Sequence, residues 1–117
     1  MIYTTNYKSL WKVRRGFKIL CITTGKPPVV MDNINKFWVK ELAPGWEIKE
    51  LADKEQYEEF ERRYEEEVLS KIDTRQLIDT YGEDIVLVCF CDKNKFCHRH
   101  LAAKFISEKE GITYKEL

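Results

Sequence analysis

Two apolar runs dominate the chain. Ile19-Leu-Cys-Ile22 lies inside Lys18–Thr24, and Ile85-Val-Leu-Val-Cys-Phe90 lies late in the sequence. Near-continuous hydrophobicity of this length predicts strands buried on both faces, as in a parallel sheet. A shorter β-branched and aromatic run, Ile2-Tyr-Thr-Thr5, predicts a first strand. Tyr7 to Arg15 predicts one or two helical turns with Leu10, Trp11 and Val13 inward, ended by Gly16. Gly25-Lys-Pro-Pro28 stops the second strand, because proline cannot extend a central ladder.

Residues 29–52 carry no clean period. Within them, Phe37-Trp-Val-Lys-Glu-Leu42 reads as strand or helical turn, and Pro44-Gly45 breaks it. Asp53 to Ile72 predicts one long helix, with Asp53 as N-cap and Gln56 completing a capping box. Tyr57, Phe60, Tyr64, Val68 and Ile72 share one face at spacings of three and four. The opposite face is rich in glutamate and reads as solvated. Thr74 to Tyr81 predicts a second helix, capped by Thr74 and closed by Gly82. After the Ile85–Phe90 strand and a polar turn, a helix runs from about His98 to Glu110 and Gly111 stops it. Ile112-Thr-Tyr114 predicts a last edge strand. This order predicts a single domain over residues 1–117, a Rossmann-like three-layer α/β sandwich around a small, mostly parallel sheet. The two long apolar strands are expected to pair in parallel.

Composition adds that the 117 residues are 44% hydrophobic and 13% aromatic, a folded rather than disordered balance. No stretch approaches the roughly 20 apolar residues of a membrane span. The opening Met-Ile-Tyr-Thr-Thr-Asn lacks a secretory signal pattern, so the expected location is cytoplasmic, with reduced thiols and no membrane partner. Formal net charge is zero, yet residues 1–31 hold six basic side chains and no acid. That asymmetry suggests a phosphorylated small molecule or nucleic acid as partner, against the plainer reading of a solvated basic loop.

The candidate chemistry is concentrated in Cys89-Phe-Cys91-Asp-Lys-Asn-Lys-Phe-Cys97-His98-Arg99-His100, which reads as strand, polar turn, helix. Three readings compete. Cys89 can be a buried strand residue and chemically inert. The cysteines and histidines can ligate metal, but their spacing is too tight for a closed tetrahedral site, so neither metal nor cofactor is expected. Or the turn is catalytic: Cys97 a thiolate at a helix N-terminus, His98 an acid or base, Arg99 an anion clamp. Cys89, Cys91, His100, Tyr3, Asn6 and Lys26 are expected around it, since ligands of open α/β sheets sit at the carboxyl ends of strands. A non-enzymatic nucleic-acid-binding or interaction module is the alternative.

The segment Leu87-Val-Cys89-Phe-Cys91, followed by Cys97-His98-Arg99-His100-Leu101-Ala102, resembles the signature of the bacterial "domain of unknown function 488" (DUF488) family. Ile2-Tyr-Thr-Thr-Asn is similar to that family's opening strand. Phe37-Trp-Val-Lys-Glu-Leu-Ala-Pro44 and Phe60-Glu-Arg-Arg-Tyr64 resemble one subgroup's motifs. The resemblance covers nearly the whole chain and suggests a short bacterial or phage member. It implies the α/β fold and a site at Cys97-His98-Arg99, but no reaction. Two positions depart from the pattern. Ile22-Thr-Thr24 stands where relatives carry Asp and Arg, and Cys91 stands where they often carry Glu.

Overall fold

The computed structural model describes residues 1–91 and 96–117. The centre of the polar turn expected after Phe90 falls outside these residues. Five strands form one sheet: β1 (Ile2–Asn6), β2 (Lys18–Cys21), β3 (Lys36–Trp38), β4 (Ile85–Cys89) and β5 (Tyr114–Glu116). Their order is β3-β2-β4-β1-β5, and every pairing is parallel. The expected β2–β4 pairing is present, with Lys18 opposite Ile85 and Cys21 opposite Val88. The apolar runs are continuous because both of these strands are internal. All of β4 is buried.

Four α-helices follow: α1 (Trp46–Asp53), α2 (Tyr57–Glu67), α3 (Thr74–Tyr81) and α4 (His98–Glu110). All four supply side chains to one apolar cluster with Ile2, Leu20, Ile22, Ile85 and Leu87 of the sheet region. The alternate residues Ile19, Cys21, Val86 and Val88 face the other way. There Tyr7, Leu10 and Val13 of the 3-10 segment and Val29 and Met31 of the following loop cover them. Right-handed crossovers explain this division. Connections running towards β5, through α1–α3 and through α4, lie on one face. Connections running towards β3 lie on the other, and they contain no α-helix. The chain is therefore an α/β sandwich whose second outer layer is a 3-10 turn and loop.

Several local expectations are corrected. The long helix from Asp53 is two helices. Asp53 ends α1 and caps nothing at its start, and Glu55 takes a left-handed φ of 59° at the break. Gln56 precedes α2 without a side-chain cap bond. The cap of α3 is Asp73, which accepts from the Gln76 amide at 3.0 Å, and Thr74 is already helical. Trp11 is 80% exposed rather than inward, because Tyr7–Lys12 is a 3-10 helix with a different angular period. Tyr57 is largely exposed, whereas Phe60 and Tyr64 are core. Helix α4 and its Gly111 stop, at φ 67°, agree with the sequence pattern.

Candidate functional site

Sheet order locates the site. After β2 the chain leaves towards β3, and after β4 it leaves through α4 towards β5. Adjacent parallel strands whose connections depart in opposite directions leave a crevice at their carboxyl ends. A cleft of about 280 Å³ lies there. Thr23, Thr24 and Gly25 after β2 form one side; Cys89, Phe90 and Cys91 at the end of β4 form another. Cys97 and His98 come from the start of α4, and Trp46, Phe60 and Phe96 complete apolar walls. Trp46 and Phe90 remain 63% and 56% exposed, which leaves their rings accessible. A larger groove of about 540 Å³ beside α3 contains none of the candidate site residues read from sequence.

Three sulfurs converge at this cleft. The Sγ atoms of Cys89, Cys91 and Cys97 all lie within 4.8 Å of one another. β4 ends at Cys89, so the backbone leaves the ladder there and the next residues are free to turn Cys91 back to the same point. The Cys89 and Cys97 sulfurs touch as in a disulfide, but their Cα atoms stand 7.8 Å apart. Bridged cysteines usually hold their Cα atoms about 4.4–6.8 Å apart. The geometry is that of two facing sulfurs whose backbones are too far apart for an ordinary bridge. Cys89 is buried with the rest of β4 and also lines the cleft.

His98 is held from behind. Its Nε2–H donates to the Ile22 carbonyl at 2.5 Å, which leaves Nδ1 as the acceptor nitrogen, 3.7 Å from Cys97 Sγ. Burial drives the imidazole pKa down to about 4; the Ile22 bond opposes this, and Arg99 and His100 add to it. The ring is therefore neutral near pH 7. It also meets the Tyr64 ring edge-on at 5.6 Å.

Arg99 is completely buried. Its Nε and Nη2 donate to Glu116 at 3.2 and 2.8 Å, and its Nη1 donates to Cys89 Sγ and to the Cys91 carbonyl, both at 3.0 Å. The fork expected to clamp a ligand anion is thus occupied by an internal carboxylate and by the cysteine turn.

The remaining expected residues divide. Cys91 lines the cleft. Asn6 is level with Cys89 across the β1–β4 pairing, and its side chain accepts from the Ser9 amide at 3.0 Å. Tyr3 packs on Phe17 at 5.3 Å on the other sheet face, so the topology does not bring it to the cleft. Lys26 is exposed beside Gly25, and His100 is half-buried near Glu116; neither lines the cleft. Sequence reasoning missed the aromatic walls and Glu116. The Pro44-Gly45-Trp46 start of α1 was the available signal for one wall. Nothing local in the chain marks Glu116 as the partner of Arg99.

A family sequence model described as "Active DUF488-N3 subclade" matches residues 2–110. The chain belongs to the DUF488 family. The match spans β1–β4 and all four helices of this DUF488 chain, whereas β5 and Glu116 lie beyond it. No curated protein and no solved structure matches it. No helix among the described residues is long and apolar enough to cross a membrane.

Proposed function

We propose that this DUF488 protein is a small enzyme that binds a nucleotide in the cleft and works on it with the sulfur cluster at the Cys97 turn. The convergence of Cys89, Cys91 and Cys97 on an aromatic-walled cleft at the β2–β4 switch point carries the reading. Flat walls such as Trp46 and Phe90 suit a base ring. Lys49 lines the same cleft, and Lys26 stands near its Gly25 side, so both can meet a phosphate. Cys97 presents sulfur to the ligand, and His98 Nδ1 is a hydrogen-bond acceptor beside it. Arg99 acts through Cys89 as a positioning residue. The family description's word "active" agrees with an enzyme. Titrating nucleoside monophosphates, nucleosides and inorganic phosphate while following tryptophan emission tests this. Emission should change with the nucleotides and the change should vanish in Trp46→Phe. No response to any of these ligands would overturn the proposal.

One observation favours a second reading, a nucleic-acid-binding surface. Trp11 is exposed, Lys12 Nζ lies 5.5 Å from its ring centre, and Arg14 and Arg15 follow in the acid-free first quarter of the chain. Exposed aromatics among cations stack on single-stranded bases. Binding of an oligonucleotide that weakens steeply with salt and requires Trp11 would support it.

A further inference from the structure

We propose that Cys89, Cys91 and Cys97 together bind a thiophilic divalent cation, zinc above all, as three thiolates, with a fourth coordination position turned to the cleft. The role of that fourth position rests on the cleft being the working site proposed above; the three-sulfur centre does not.

Geometry carries the argument. Thiolates about 2.3 Å from a tetrahedral zinc stand roughly 3.8 Å from one another. The three sulfurs already lie within 4.8 Å of each other, so small side-chain rotations suffice. The 7.8 Å Cα separation of Cys89 and Cys97 is wide for a direct bridge, and two cysteines facing across a shared ion do not need to close that gap. Sequence spacing argued against metal because the ligands stand close together along the chain. The fold separates them: Cys89 ends a strand, Cys91 follows it on the turn, and Cys97 enters from the base of α4. All three line the cleft, so an ion held by them has a side open to a ligand. Sites that keep a position open in this way are the catalytic kind.

The surroundings fit a metal thiolate. Loading zinc onto three thiols releases three protons to solvent and leaves the centre with one net negative charge. Arg99 Nη1, 3.0 Å from Cys89 Sγ, is an N–H donor to that charge, as outer partners of metal ligands commonly are. His98 is fixed through Nε2 to the Ile22 carbonyl, with Nδ1 held beside Cys97. There it can accept a hydrogen bond from water or ligand at the open position.

The test uses untagged full-length protein, reduced, chelator-washed and then loaded with zinc or cobalt(II). Elemental analysis should give one ion per chain in the wild type and in Cys21→Ser, whose cysteine lies outside the cluster. Cys91→Ser should weaken zinc binding more than about 100-fold, beyond the 10–100-fold expected of an outer partner. Wild-type cobalt protein needs no variant to fold. It should show thiolate-to-cobalt charge transfer in the near ultraviolet and tetrahedral bands in the visible, and added cyanide should shift those bands. Absence of stoichiometric metal, or a cobalt spectrum without thiolate charge transfer, would overturn the centre. Bands unmoved by cyanide would overturn the open position. Metal without nucleotide binding would sink the cleft reading alone, and nucleotide binding without metal would sink this one alone.

Discussion

Arg99 Nη2 stands 2.8 Å from the Glu116 carboxylate, seventeen residues further along the chain. This pair joins the first turn of α4 to the end of β5, and the same guanidinium reaches Cys89. It therefore ties the sheet edge to the sulfur cluster. The Thr4 hydroxyl also donates to Glu116. Burial pushes the Glu116 carboxyl up, but the Arg99 and Thr4 bonds, with the positive charge of Arg99 and the nearby His100, together outweigh it and hold the group below the ordinary value of 4.5.

That direction fixes the sign of a pH effect. A carboxyl with a lowered folded pKa adds stability above its unfolded value and loses it as pH falls through the folded one. Glu116→Gln replaces the carboxylate that Arg99 Nε and Nη2 bond with a neutral amide, and should cost about 3 kcal/mol at pH 7. The gap to wild type should begin to narrow as pH falls below 4.5, the unfolded value, and should be gone only below the lowered folded pKa, where the wild-type carboxyl itself protonates. Denaturation midpoints of both proteins across this range are the check, and a gap independent of pH contradicts the assignment.

The α2 face divides energetically. Phe60→Ala should cost about 3–5 kcal/mol, since Phe60 is buried against Tyr64 and Phe96. Tyr64→Phe should cost about 1–2 kcal/mol, because the hydroxyl donates to the Leu42 carbonyl at 2.6 Å in a buried setting. Glu58→Ala on the outer face should leave the urea midpoint where it is. Equal midpoints for Phe60→Ala and Glu58→Ala would contradict the packing.

Gly111 ends α4 at a φ of 67°, where its amide bonds the Ser107 carbonyl at 2.9 Å. A Cβ there would meet no neighbour, so any penalty is conformational. Gly111→Ala should destabilise by about 1 kcal/mol. A neutral or stabilising result from thermal unfolding would show that the helix end rearranges freely.

Strands β2 and β4 were legible because burial on both faces writes a continuous apolar run, as in Ile85–Cys89, whereas the short, partly exposed β3 and β5 carry no such run. Helix α4 was legible because its start follows an apolar strand and its end is a glycine. The α1–α2 break was not, because Asp53 and Gln56 imitate a capping box while tertiary packing puts Glu55 in a left-handed turn. That Cys97 would lie at a cleft was readable, since crevices of open sheets form where strands end and helices start. The role of Arg99 was not, because Glu116 is brought to it only by the β1–β5 pairing. Nor was the convergence of Cys89, Cys91 and Cys97, which depends on where β4 stops.

The most direct measurement is residue-resolved cysteine labelling of reduced, metal-free protein, with and without a nucleoside monophosphate. Cys91, half-buried in the cleft, should label first, then Cys97, while Cys21, fully buried in the sheet, should lag far behind. The nucleotide should slow labelling at Cys91 and Cys97 and leave Cys21 unchanged. Equal labelling of Cys21 and Cys91, or no protection by the nucleotide, would contradict a ligand-binding cleft floored by the sulfur cluster.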